Sequence, residues 1–288
     1  MNKIAFIGTG VMGASIVKHL LKAGNEVTIY TRTKEKAIEL LNLGAQWASS
    51  PAEASQNKDV IFTMVGYPSD VLDVYTGKQG IFAGANEGTI VVDMTTSEPT
   101  LAKKIYALSK EKNIHSIDAP VSGGDIGAQN GTLSIMVGGD QPIFEKLKPI
   151  FSLFGQNIVY QGSAGAGQHT KMCNQIVIAS SMIGVCESIA YGRKAGLSID
   201  EVLKSISSGA ASSWSLSNLA PRMLQEDYAP GFYVKHFIKD MKIALQEAES
   251  MNLQLPGLKL AKELYSELVE MGYEDEGTQS LIKLYAKE

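Results

Sequence analysis

At 288 residues, 44% hydrophobic and 19% charged, the chain has the composition of a globular protein long enough for two domains, and not that of a disordered or fibrous one. Its net charge of −4, with no basic stripe, lacks the electrostatic footprint that binding many phosphates requires and excludes nucleic acid as an expected partner. The longest uncharged stretch, 172–186, falls short of the ~18 residues of a bilayer span, and the short apolar N-terminus runs into glycines, unlike a signal peptide. A cytoplasmic protein without membrane contact is therefore expected.

Apolar, β-branched runs at 3–8, 26–30, 60–65, 89–93 and 115–118 alternate with helical stretches, a rhythm that predicts a parallel sheet. Between the first two runs, Ile16, Val17, Leu20 and Leu21 recur at helical spacing and Gly24 is placed to end the helix in a left-handed turn. Runs at 132–137 and 157–160 extend the strand series, with a helix over 142–154 between them. The sheet should end near Gly162, in a glycine-rich segment. Beyond it, helices are predicted over 168–195, 200–207, 216–225, 234–251 and 256–271, the first apolar enough to be buried. Cys173 and Cys186 fall on that one helix, too far apart to bridge at ~1.5 Å per residue, and Cys173 is expected to be a buried, inert thiol. The four histidines are scattered, so no metal site is expected.

Gly8-Thr9-Gly10-Val11-Met12-Gly13 lies between the first strand and the first helix. In that context the three glycines have separate tasks: Gly8 for the tight turn, Gly10 for close approach of a pyrophosphate to the helix N-terminus, Gly13 for helix-to-sheet packing. A nucleotide with an unmodified ribose usually meets a carboxylate about twenty residues further on, at the end of the second strand. Here that place reads Thr31-Arg32-Thr33 with Lys36 nearby. Hydroxyls, a guanidinium and an ammonium suit a 2′-phosphate, so NADP is favoured over NAD.

Ser122-Gly123-Gly124 follows the fifth strand through Pro120. The residues alone admit an ordinary turn or a carboxylate-binding one, in which the hydroxyl and exposed amides face the ligand. Lys171 and Asn174 stand three apart on the long helix and can face one cleft. A desolvated lysine can take the hydroxyl proton when a hydride leaves an alcohol, and Asn174 can orient the substrate.

Four motifs in order give the chain its resemblance to the β-hydroxyacid dehydrogenase family, which includes 3-hydroxyisobutyrate dehydrogenase and tartronate semialdehyde reductase, within the 6-phosphogluconate dehydrogenase superfamily. They are the glycine loop with Met12, the segment Asp118-Ala119-Pro120-Val121-Ser122-Gly123-Gly124, the segment from Gly165 to Asn174, and Lys235-His236-Phe237-Ile238-Lys239-Asp240. The resemblance implies that Ser122, Gly123 and Gly124 hold a small carboxylate substrate and that Lys171 is the general acid/base assisted by Asn174. It also implies that Val65, Gly66, Asp70, Thr96 and Lys239 line the cofactor. Without it, Lys239 and Asp240 would read as an exposed ion pair. Gln175 stands where the family often has a second asparagine, and is expected at the substrate.

The fold expected is an N-terminal Rossmann, doubly wound α/β domain over 1–162 and an all-α substrate and oligomerisation domain over 163–288, with the active cleft between them and a homodimer or homotetramer as the assembly. The reaction expected is hydride transfer between NADP or NAD and a small 3-hydroxy acid or its semialdehyde. Alternatives are an imine reductase of the same fold, in which the lysine is usually replaced, a phosphogluconate-type decarboxylating dehydrogenase, which is much longer, and a cofactor-binding scaffold without turnover.

Overall fold

A computed structural model describes residues 1–285. Among the described residues, nine strands form one sheet: β1 (Lys3–Ile7), β2 (Glu26–Tyr30), β3 (Gln46–Trp47), β4 (Val60–Thr63), β5 (Ile90–Asp93), β6 (His115–Asp118), β7 (Val121–Ser122), β8 (Leu133–Gly139) and β9 (Gly155–Gly162). The helices among and after them are α1 (Val11–Lys22), α2 (Ile38–Asn42), α3 (Pro51–Ser55), α4 (Pro68–Thr76), α5 (Ile81–Gly84), α6 (Pro99–Lys110), α7 (Gly124–Asn130), α8 (Gln141–Phe151), α9 (Ala166–Lys194), α10 (Ile199–Ile206), α11 (Trp214–Asn218), α12 (Ala220–Leu224), α13 (Val234–Ser250) and α14 (Pro256–Glu270). Two compact units result, one over Met1–Lys171 and the other from Met172 onward, so the division falls inside α9.

In the first unit the strand order is β3-β2-β1-β4-β5-β6-β8-β7, with β9 on β8. From β3 to β6 all pairs are parallel. Alternation along β1 explains the double winding: Ile4 and Phe6 join one core with Ile16, Val17 and Leu20 of α1, whereas Ala5 and Ile7 join another with Val71, Tyr75, Leu101 and Ile105. A strand covered on both faces reads as an unbroken apolar run. Gly24 does end α1, at φ +80, its N–H reaching Leu21 O at 2.9 Å.

The sheet is mixed rather than wholly parallel. β8 runs antiparallel to β6 and to the two-residue β7, with Val121 opposite Ile135 and Ser122 opposite Ser134. Strand propensity predicts a strand but not its direction, and β7 is too short to leave a pattern.

The second unit is helical. Its core joins Ala179, Met182 and Cys186 of α9 to Phe237 and Met241 of α13 and to Ala261 and Tyr265 of α14. By length and composition α9 could cross a membrane; the residues just named show it serving as a core helix. The helix expected over 216–225 is two, α11 and α12, because Pro221 stands in the first turn of α12 and cannot donate to a continuous helix. Cys173 is exposed, contrary to expectation; it lies on the other face of α9 from buried Met172 and Gln175. Trp214, at the start of α11, is exposed as well.

Candidate active site

The loop after β1 lies where the winding reverses between β1 and β4, the place at which open α/β sheets bind ligands. Gly8, at φ +98, donates to Tyr30 O at 2.8 Å, and a methyl group there would overlap Met64 O at the end of β4. One at Gly13 would overlap Gly8 O and stand 3.0 Å from the Phe6 ring. Gly10 differs: it caps α1 in an extended conformation at φ −68, and a methyl group would meet nothing within 4 Å. The first turn of α1, with Val11, Met12 and Gly13, carries no acidic residue. Thr9 is buried and its Oγ1 has no hydrogen-bond partner among the described residues. Open space in front of a helix N-terminus, beside an orphaned hydroxyl, fits a pyrophosphate.

Thr31, Arg32 and Thr33 follow β2 directly, and Lys36 lies in the short 3-10 helix Lys34–Ala37. The Arg32 side chain is 85% exposed and 3.9 Å from Asp70 Oδ1, a loose pairing that leaves the guanidinium open to an anion. Asp70 is more constrained, since its Oδ2 accepts Tyr67 N–H at 3.1 Å in the first turn of α4. Gly66 stands close to that carboxylate. Val65 N–H donates to Thr95 Oγ1 at 3.0 Å, tying the loops after β4 and β5 together, with Thr96 beside it.

Asp118, at the end of β6 and 4% exposed, accepts the N–H groups of Gly165 at 2.7 Å and Gln168 at 2.9 Å. Burial pushes its carboxyl up, against the pull of backbone N–H groups from Gly165, Gln168, Asp118 itself and Gly167. The carboxylate therefore caps α9 from another strand. Gln168, wholly buried, spans the loop after β5: its Oε1 accepts Ser97 N–H at 3.0 Å and its Nε2 donates to Thr95 O at 2.7 Å. One turn further along α9, Lys171 is 8% exposed and its Nζ donates to Val121 O at 2.9 Å. The 118–121 segment thus holds both the start of the helix and the ammonium. Ser122 follows, then Gly123 at φ +127 and Gly124 at φ +63.

Sequence reading missed Thr95, Asp118 and Gln168 as site-building residues. One signal was present: the start of α9 is Gly-Ala-Gly, with no Ser, Thr, Asp or Asn adjacent to cap it from within, so a buried cap had to come from elsewhere.

The second unit holds its own polar chain. Asn174 Nδ2 donates to Gln175 Oε1 at 2.7 Å, and Gln175 Nε2 to Asp240 Oδ2 at 2.6 Å. Asp240 Oδ1 lies 3.1 Å from Lys239 Nζ. Gln175 and Asp240 are each 1% exposed, so Lys239 and Asp240 are no routine surface pair, and the Gln175 amide is engaged by protein at both ends. His236, one turn before Lys239 on α13, is half-buried, and burial pushes its imidazole down with help from the Lys239 ammonium.

Residues 3–162 match the NAD binding domain of 6-phosphogluconate dehydrogenase, and residues 165–285 match the family described as NAD-binding of NADP-dependent 3-hydroxyisobutyrate dehydrogenase. The chain is 62% identical over 284 residues to the uncharacterized oxidoreductase YkwC of Bacillus subtilis, covering 99% of both. It is 50% identical over 282 residues to the probable 3-hydroxyisobutyrate dehydrogenase-like 1, mitochondrial, of Arabidopsis thaliana, covering 98% of this chain and 84% of that one. The 3-hydroxyisobutyrate dehydrogenase of Mycobacterium tuberculosis, solved with L-serine, superposes with a TM-score of 0.91 at 29% identity over 99% of each chain. With both halves matched in order, the chain belongs to the NAD(P)-dependent oxidoreductase family that contains 3-hydroxyisobutyrate dehydrogenase and its related reductases.

Proposed function

We propose that the protein transfers a hydride between NADP and a small 3-hydroxy acid or its semialdehyde, with Lys171 exchanging the proton at the substrate oxygen. The observation that carries this reading is Lys171 itself: a nearly buried ammonium, held by Val121 O one residue before Ser122 and on a helix whose start is anchored by Asp118. The 3-hydroxyisobutyrate dehydrogenase description of the matching family supports the substrate class, and its NADP dependence supports the cofactor.

The dinucleotide, when bound, supplies or accepts the hydride. Gly8, Thr9, Gly10, Val11, Met12 and Gly13 would hold its pyrophosphate, and Thr31, Arg32, Thr33 and Lys36 its 2′-phosphate. Val65, Gly66, Asp70, Thr96 and Lys239 would border the remainder. Ser122, Gly123 and Gly124 bind the substrate carboxylate through hydroxyl and backbone N–H groups. In the oxidative direction the neutral amine of Lys171 would take the O–H proton as the hydride leaves the substrate carbon; in reduction its ammonium would return the proton to the carbonyl oxygen. Asn174, one turn from Lys171 on α9, orients the substrate by hydrogen bonding. The exposed Val177 and Tyr191 on α9 support a homodimer or homotetramer, which light scattering would measure.

The test is turnover of tartronate, methylmalonate and succinic semialdehydes with NADPH and NADH, in the wild type and in Lys171→Ala. General acid/base catalysis is worth ~10²–10⁴-fold, so a loss of that size in kcat with cofactor affinity retained is expected. Turnover at the wild-type rate would refute the assignment.

A further inference from the structure

The polar chain of the second unit has a direction. A carboxylate only accepts hydrogen bonds, so Asp240 Oδ2 admits the nitrogen of the Gln175 carboxamide and not its oxygen, as observed at 2.6 Å. That fixes Gln175 Oε1 toward Asn174, and an oxygen there in turn admits only the Asn174 nitrogen, as observed at 2.7 Å. Turning either amide over would set two oxygens against each other in a place from which water is largely removed. Lys239, 3.1 Å from Asp240 Oδ1, supports the charge at the origin of the chain. Outside the relay Asn174 keeps its carbonyl oxygen, an acceptor that only this orientation of the amide presents, and the second N–H of its nitrogen.

The reach of residue 175 matters. Asp240 lies on α13, and the glutamine amide meets both it and Asn174; an asparagine would be shorter by one carbon–carbon bond, about 1.5 Å, too short to serve both at hydrogen-bond distance. A glutamine at this position thus joins the α9 amide to the α13 carboxylate.

We propose that Gln175 is a positioning residue that transmits the hydrogen-bond polarity of Asp240 to Asn174, so that Asn174 offers the substrate an acceptor and the enzyme prefers 3-hydroxy acids bearing a donor, hydroxyl or ammonium, at C2. This rests on the reading that Asn174 contacts the substrate. A hydrogen or methyl group at C2 would leave that oxygen desolvated and unpaired, which is how a polar site rejects an analogue lacking the matching group.

The experiment compares kcat and KM, with NADP as oxidant, for glycerate and L-serine against 3-hydroxypropionate and 3-hydroxyisobutyrate. A wild-type preference of at least tenfold in kcat/KM for the better donor-bearing acid is expected. Gln175→Met keeps length and volume but removes the relay, and should reduce that preference at least fivefold, chiefly by raising KM for the donor-bearing acid. Asp240→Asn lets the Gln175 amide settle either way and should reduce it less; its ratio decides the matter if the methionine variant does not fold. Equal losses for all four acids in both variants, an unchanged ratio, or no wild-type preference would overturn the proposal. Asn174→Ala separates the premise: no effect on any acid removes Asn174 from the site, whereas loss of the preference there but not in Gln175→Met or Asp240→Asn rejects the relay alone. Absence of turnover with all four acids would remove the underlying reading and this inference with it.

Discussion

Asp118 Oδ2 accepts the backbone N–H of Gln168 at 2.9 Å, so one carboxylate at the end of β6 fixes the start of the helix that carries Lys171. With Gly165 N–H on the other oxygen, the helix can neither slide nor rotate without breaking a buried, charge-assisted hydrogen bond. The same residue's chain continues to Val121, whose carbonyl holds Lys171 Nζ. Lys171 is therefore located from both its backbone and its head group.

Asp118→Ala leaves two buried N–H groups unpaired at ~1–3 kcal/mol each. A loss of about 3 kcal/mol in urea denaturation is expected, together with at least a tenfold fall in kcat per folded molecule. Stability lost with kcat intact would show that the anchor does not position Lys171. Gln168→Leu is the companion variant: it strands Ser97 N–H and Thr95 O, and should cost ~2–4 kcal/mol on the same scale.

The glycine loop makes a sharper contrast. Gly10→Ala adds a methyl group into open space at an ordinary φ, so the apo protein should keep its melting temperature, whereas KM for the dinucleotide rises at least tenfold because the methyl occupies the approach to the helix N-terminus. Gly13→Ala must displace Gly8 O, and overpacking of this kind costs ~1–3 kcal/mol or more. Its melting temperature should fall before cofactor is added. Equal behaviour of the two variants in thermal unfolding would contradict the division of labour among the glycines.

Features written in short stretches of chain were legible, and those assembled from distant ones were not. Gly8, Gly10 and Gly13 carry their roles in their spacing between a strand and a helix, and Gly24 announced the end of α1. Asp118 and Gln168 are fifty residues apart, and Gln175 and Asp240 sixty-five, so neither pair leaves a local pattern. Gln175 was expected at the substrate from the resemblance to a family that often has a second asparagine there; its burial comes from the phase of α9, which periodicity fixes poorly in a helix apolar on most faces. The same uncertainty of phase hid the exposure of Cys173. The division of 216–225 at Pro221 was readable from proline chemistry alone. The antiparallel direction of β8 was not, because strand propensity is the same in either direction.

Arg32 supplies the test of cofactor choice. Its side chain is nearly free in solvent, with Asp70 at 3.9 Å, a pairing worth little by itself, so its removal should not disturb the fold. Arg32→Ala is expected to raise KM for NADPH at least tenfold while KM for NADH changes less than threefold, since only the former carries the 2′-phosphate that a guanidinium grips. Equal loss for both cofactors in initial-rate assays would assign Arg32 to some other part of the nucleotide.

His236 predicts a pH dependence of stability. Burial depresses its imidazole, Lys239 and Lys235 add to the depression, and Asp240 and Asp275 oppose it. The folded state thus resists protonation more than the unfolded chain, whose histidine titrates near 6.5. Above that value neither state is charged and the full stability is present; as pH falls below it, the unfolded state binds the proton first, and stability is lost until the folded value is passed. His236→Gln removes the titration. Thermal melts from pH 8 to pH 5 should therefore show the wild type losing more of its melting temperature below pH 6.5 than the variant does, by a small margin because the ring keeps part of its solvent contact. Parallel curves would mean that His236 is not depressed, and a variant that loses more than the wild type would mean that the imidazolium is stabilised in the folded state, reversing the sign of the argument.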